Sequence, residues 1–220
     1  MVQVVTSAKS LARLGGLLYL VVAVGGAFSE YVRVNIDPAQ HAGLFRAAFV
    51  TDLLDFTCFL GVGIVMYALL KPVSPRVAFA MVVVNAVSVA IQAVNMVNHV
   101  GALLVATDPR YTAGLGAQAA HSLVLLLLEL HRQGYLIAQI FFGLFLLPLG
   151  YLVLRSGYFP RLLGAALMVG SGGYVGGVAV TFLSPGFESG FALYLALFGG
   201  LCELAFLLWL LIRGAREVAV

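Results

Sequence analysis

The sequence predicts an all-α integral membrane protein, six transmembrane helices in one bundle, and three observations carry that expectation. Its 220 residues are 62% hydrophobic and only 10% charged, with a mean hydropathy of +1.07. Soluble domains hold about 45–50% apolar and about 25% charged residues, and a chain this short has too little interior to hide the excess. Six apolar stretches each reach the roughly 20 residues that cross about 30 Å of hydrocarbon. Basic residues gather at alternate connections between those stretches. Together these exclude a soluble enzyme, a nucleic-acid binder and a disordered chain, and residues 1–220 read as a single polytopic membrane domain.

Span one covers Leu11–Arg33. Lys9 and Arg13 before an apolar run, with small residues at Gly25–Ala27, imitate a signal peptide. The full length of that run and the five spans after it predict a retained helix instead. Span two is Leu44–Leu70, and span three is Arg76–Thr107. The third would be about 48 Å long at roughly 1.5 Å per residue, so it must tilt or protrude. Next comes Tyr111–Leu130, whose leucine run Leu125–Leu128 is too short to cross alone. It predicts an outer-leaflet or packed helix near 111–130; a seventh span there is the competing topology. Spans four, five and six are His131–Leu154, Pro160–Leu183 and Phe191–Ile212.

The basic residues set the expected orientation. Lys9, Arg13, Lys71, Arg76, Arg155, Arg161, Arg213 and Arg216 fall on one side, and Arg33, Arg46, Arg110 and Arg132 on the other, beside Asp37, Asp108 and Glu188. The positive-inside rule then predicts a cell-membrane protein with both termini cytoplasmic. The net charge of +3 is too small and too dispersed to suggest nucleic acid as a partner. Cys58 and Cys202 sit singly inside apolar stretches, where they read as packing residues and not as a disulfide. Tyr67–Lys71 followed by Pro75-Arg76 echoes Tyr151–Arg155 followed by Pro160-Arg161. A repeated helix hairpin would produce this, and so would ordinary interfacial preference for aromatic and basic residues.

Several segments together resemble a known family. They are Ala12–Leu20, Leu44–Arg46, Leu130-His-Arg-Gln-Gly-Tyr135, Phe141–Tyr151, Arg155–Gly164, and Glu203 with Leu208–Gly214. In these the chain resembles the domain-of-unknown-function-4386 family of prokaryotic multi-pass membrane proteins. The resemblance covers nearly the whole length. It implies a small multi-helix membrane protein and carries no activity or catalytic residue that could be transferred.

The polar residues inside the spans are the informative ones, because hydrocarbon rejects them unless they face the bundle interior. In span three Asn85, Ser88, Gln92, Asn95 and His99 are spaced by three and four, which is one helix face, with Asn98 beside it. Such a stripe lines a hydrated cavity or supplies hydrogen bonds between helices. Asp52 and Asp55 share a face of span two and could bind a cation or act as acid and base; Asp52 alone could simply favour a helix start. His131, Tyr135 and Gln139 line one face of span four, and the i, i+3 spacing predicts a pair between Glu30 and Arg33. Gly164, Gly170, Gly172, Gly173, Gly176 and Gly177 make span five a close-packing helix and a candidate homo-oligomer contact.

Glu203 lies about 18 Å of helix from one end of span six and about 14 Å from the other, too deep to reach water by extending. It should therefore hydrogen-bond at least one of Asn85, Ser88, Gln92, Ser171 or Tyr174 and form the floor of a pocket, either as a proton-holding group or as a buried acid that joins helices.

The ligand-binding candidates are thus Glu30, Asp52, Asp55, Gln92, Asn95, Asn98, His99, His131, Tyr135, Gln139 and Glu203, with Asp55, His131 and Glu203 as the catalytic candidates. Glu30, Asp52, Asp55, Asn95, Asn98, His99, His131, Tyr135 and Gln139 lie toward the outer ends of their spans, whereas Gly61–Leu69 and Phe142–Val153 lack ionisable residues apart from Tyr67 and Tyr151. No zinc signature, Gly-x-Ser-x-Gly elbow or intramembrane lysine occurs, so neither metal nor cofactor is expected, the alternative being a metal site assembled across helices from His99, His131, Asp52 and Asp55.

Three functions stay open. The first is a polar pocket, open to the extracytoplasmic side, that binds or transports a small or lipophilic ligand. The second is a membrane enzyme using Asp, Glu and His acid–base chemistry on a lipophilic substrate. The third is a structural or assembly subunit without a ligand, its polar interior serving only packing; membrane lipid is an expected partner in every case.

Overall fold

The computed structural model describes residues 7–184 and 189–216; Glu188 and Val220 lie outside the described residues. Six long helices account for nearly all of it: α1 (Ala8–Asn35), α2 (Ala42–Leu70), α3 (Pro75–Thr107), α4 (Ala117–Ser156), α5 (Arg161–Leu183) and α6 (Ser189–Ile212). Each is long and apolar enough to cross a membrane. Local chemistry sets their ends. The Ser7 hydroxyl accepts the Ser10 amide at 3.1 Å and caps α1. Pro75 opens α3, where its missing N–H costs nothing. Gly157 ends α4 at φ 73°, a left-handed conformation that only glycine adopts freely.

The helices form a ring in chain order. Each packs on the next, and α6 closes on α1. Short connections make neighbours antiparallel, so the described chain ends share one face of the bundle, the terminal end, with the α2–α3 and α4–α5 turns. There the Arg216 amide donates to the Tyr158 carbonyl at 3.0 Å, tying the last described residue to the α4–α5 turn. The opposite face is the distal end. Apolar side chains such as Val24, Val94 and Leu162 point away from the ring, as they should when the surrounding solvent is lipid.

One predicted element takes a different form. The helix expected near 111–130 is not separate: after a single 3-10 turn at Pro109–Tyr111, residues 117–156 run as one 40-residue helix. No proline or glycine interrupts residues 117–133, so nothing stops the helix from propagating through the leucine run. At about 1.5 Å per residue α4 is about 60 Å long, twice the hydrocarbon thickness. Its first turns project from the distal end beside the last turns of α3, with Leu127 against Gly101. That companion explains the length of span three: the two helices protrude together and cover each other's apolar sides.

The largest apolar core fills the terminal half. Met66, Leu70, Met81, Leu149, Leu152 and Leu210 are essentially inaccessible there. Toward mid-bundle, Phe59 meets the Phe142 and Phe145 rings edge-on, each at 5.4 Å. The distal half has only a small apolar cluster around Val32, Phe45 and Ala48. Its interior is polar.

Candidate functional site

Asn85, Ser88, Gln92, Asn95 and His99 form one buried face of α3, as their spacing requires. Most of that face joins helices. The Asn85 amide donates to the Phe59 carbonyl at 3.2 Å, and the Asn95 amide to the His131 carbonyl at 2.8 Å. Each carbonyl has a second lone pair available beyond its own helix bond. His99 Nε2 lies 2.9 Å from the Phe45 carbonyl; a carbonyl only accepts, so Nε2 carries the proton and Nδ1 is left without a partner. Half-buried Asn98 donates to Asn95 Oδ1 at 3.0 Å, and Ser88 bonds back to the Asn85 carbonyl at 2.6 Å. Gln92 alone of the stripe turns toward the centre of the ring, its buried Oε1 unpartnered.

Glycines on neighbouring helices make room for this polarity. A Cβ at Gly63 would collide with the Asn85 amide, one at Gly134 with the Asn95 amide, and one at Gly25 with the Asp55 carboxyl. Asp55 is 4% exposed, and neither of its oxygens has a hydrogen-bond partner. Its neighbour Asp52 is held differently: Arg33 on α1 donates to it at 2.5 Å, and both side chains are buried. The same guanidinium reaches Glu30, 3.3 Å away and half in solvent. Arg33 therefore ties α1 to α2 and makes no hydrogen bond to Asp55.

Glu203 accepts from two tyrosines, Tyr19 on α1 at 2.6 Å and Tyr174 on α5 at 2.9 Å. Tyr174 is one of the partners its depth predicts; Tyr19 is a further one. This pair of bonds joins α1, α5 and α6 around a single carboxyl group.

Between these groups lies a cavity of about 300 Å³, inside the ring and toward its distal half. Glu30, Arg33, Asp52, Asp55, Gln92 and His131 line one part of it, and Tyr135, Tyr174 and Glu203 another. Phe56, Phe59, Phe142, Val22 and Val89 supply apolar wall. Tyr135, 43% exposed, sits between this cavity and a groove of about 760 Å³ that runs between α4, α5 and α6. Glu30, Tyr135 and Tyr174 border both spaces, and Gln139 lines only the groove. Of the candidates named from sequence, Gln139 thus stands outside the cavity wall, as do Asn95, Asn98 and His99, which sit in the α2–α3–α4 contacts described above.

Two contributors lacked a sequence signal of their own. Arg33 stood out only as a partner for Glu30, and Tyr19 not at all, although it lies well inside α1 where a hydroxyl must find a partner. Gly164, Gly170, Gly173 and Gly177 on α5 meet α4 or α6 within the same chain: a Cβ at Gly164 would lie 2.6 Å from the Gly150 carbonyl oxygen, and one at Gly173 2.5 Å from that of Leu195, whereas one at Gly172 would meet nothing within 4 Å. Cys58 and Cys202 are free thiols. Among the described residues no three His, Cys, Asp or Glu side chains gather closely enough to hold a metal ion.

A protein of Archaeoglobus fulgidus, described as uncharacterized, is 31% identical over 185 residues, covering 83% of this chain and 90% of that one. No solved structure matches the chain. Residues 14–214 match the domain of unknown function DUF4386, and this multi-pass membrane chain therefore belongs to the DUF4386 family.

Proposed function

We propose that this protein binds a small or lipophilic ligand in the cavity inside its helix ring, as a receptor or carrier, with the pocket open to the extracytoplasmic side. The observation that carries the reading is the polar wall at bilayer depth: Asp55, Gln92 and His131 all border one space with buried atoms that no protein group satisfies. An interior that served only packing would match such groups to each other, because unpaired polar atoms in a low-dielectric interior are costly. A volume of about 300 Å³ is at the small end of ligand pockets. The orientation rests on charge. The terminal end carries Lys9, Arg13, Lys71, Arg76, Arg155, Arg161, Arg213 and Arg216, so it faces the cytoplasm and the cavity lies on the other side.

Native mass spectrometry of protein released from nanodiscs tests the pocket. Gly26 borders the cavity, and a Cβ there meets only Asp55, at 3.9 Å, so Gly26→Leu fills the space without striking backbone. Wild-type protein should carry a small-molecule adduct that the variant loses while its unfolding temperature holds. Identical spectra from the two would refute the pocket. Orientation is tested by Val220→Cys: labelling by an impermeant maleimide from outside intact cells would reverse it.

A further inference from the structure

Resting on that pocket, we infer that its ligand is an organic ammonium ion with an apolar body, recognised through Asp55. The first argument is the balance of charge types. Four carboxyl groups (Glu30, Asp52, Asp55 and Glu203) border the cavity against one guanidinium, Arg33, which is already bound to Glu30 and Asp52. The second is the inventory of unpartnered atoms. Among the cavity-lining residues the buried atoms without a hydrogen bond are both Asp55 oxygens, Gln92 Oε1 and His131 Nδ1. Carboxylate and amide oxygens only accept, whereas the neutral His131 ring offers one donor and one acceptor. The wall thus asks for a donor. A primary ammonium carries N–H donors and a positive charge, as a lysine head does, and so supplies what the Asp55 carboxyl and the Gln92 oxygen lack.

The remaining walls suit the rest of such a molecule. Phe56, Phe59, Tyr135, Phe142 and Tyr174 surround the cavity, and Phe142 stands edge-to-face with Phe59 and Tyr135. Aromatic faces attract cations and bury hydrocarbon. A bare metal ion is a poorer fit, because no three ligand-type side chains come together among the described residues. An organic cation needs no such convergence, since its contacts spread over its length. The Asp55 carboxyl rests against the backbone of Gly25. Binding turns it inward to the ammonium, and the groove along α4, α5 and α6, which shares Tyr135 and Tyr174 with the cavity, gives an amphiphile its approach.

The test compares three probes of one shape on nanodisc-embedded protein at neutral pH: 2-phenylethylammonium, 2-phenylethanol and phenylacetate. Saturation is read as the shift in unfolding temperature against probe concentration, because a ligand of the folded state stabilises it by mass action. The ammonium should half-saturate at about tenfold lower concentration than the alcohol, the order expected for a charge-assisted hydrogen bond, and phenylacetate should give no shift. Asp55→Asn keeps size and shape while removing the charge, and it should bring ammonium and alcohol together. If Asp55→Asn fails to fold, the wild-type preference for ammonium over alcohol still decides. Equal binding of ammonium and alcohol by the wild type, or an unchanged preference in Asp55→Asn, overturns the cation assignment and leaves the pocket standing. No shift with any probe, together with no adduct in the mass spectra, overturns both.

Discussion

The two halves of the bundle are built from the same six helices and held by different forces. In the terminal half, methionine, leucine and glycine interlock: Gly15 admits the Met66 methyl, Gly150 and Gly164 bring α4 and α5 to backbone contact, and Met81, Leu152 and Leu210 are fully enclosed. In the distal half, Arg33, Asp52, Asn95 and His99 join helices by hydrogen bonds and an ion pair, and a cavity remains. Hydrocarbon provides little hydrophobic drive for helix association, so shape must hold the first region and polar contacts the second. The difference is that dense packing needs no partner molecule, whereas polar cross-links can leave acceptors open to one.

The largest expected effect attacks the distal half directly. Arg33→Ala leaves Asp52 buried without its cation and should cost about 3–5 kcal/mol, read by denaturant titration in mixed micelles. The double variant Arg33→Met with Asp52→Leu should recover most of that loss; if it does not, the ion pair is not what joins α1 to α2. Gly164→Leu attacks the terminal half, where the added side chain meets the Gly150 carbonyl and the Leu154 backbone. About 1–3 kcal/mol should be lost, and a compensating change should not be found at any polar site. Asn95→Leu should cost only about 0.6 kcal/mol, the usual worth of one interhelical hydrogen bond in a membrane. A loss several times larger would show that the polar stripe acts as one cooperative network.

The smallest effect lies outside both halves. Arg110 hydrogen-bonds Asp108 in the distal turn and holds its carboxyl below the usual carboxylate range. Its small stabilisation is therefore present at neutral pH and vanishes as pH falls through that lowered value. The pair is solvent-facing, so Arg110→Ala should leave the unfolding midpoint unchanged at pH 7 within error. A measurable drop would mean that the distal surface is less wet than its exposure implies.

Much of this architecture was legible in the residues because a membrane simplifies the code. Hydropathy marks the spans, and the spacing of Asn85, Ser88, Gln92, Asn95 and His99 needs only helix geometry to become one buried face. Counting residues from the ends of α6 placed Glu203 at the depth of Tyr174. What stayed hidden depends on which helices are neighbours. Tyr19 reads as an ordinary amphipathic side chain until α6 is known to close on α1, and Arg33 looks interfacial until α2 brings Asp52 to it. The division of the α3 stripe is hidden for the same reason: the carbonyls of Phe45, Phe59 and His131 decide which side chains join helices, and backbone carbonyls leave no trace in sequence. The continuity of α4 escaped because hydropathy stops at the thickness of a bilayer while helix propagation does not.

The ring arrangement bears on the order in which the protein is made. Contacts between successive helices can form as each hairpin enters the membrane, because they join segments close along the chain. The closure of α6 on α1 is the exception: Tyr19 and Glu203 are 184 positions apart. Until synthesis is nearly complete the ring has an open side, the cavity has no wall there, and Tyr19 and Tyr174 face lipid or water with their hydroxyls unmatched. Glu203 arrives last and satisfies both at once. The enclosed cavity is thus the final thing to exist, and a chain stopped before α6 would have most of its packing and an open ring.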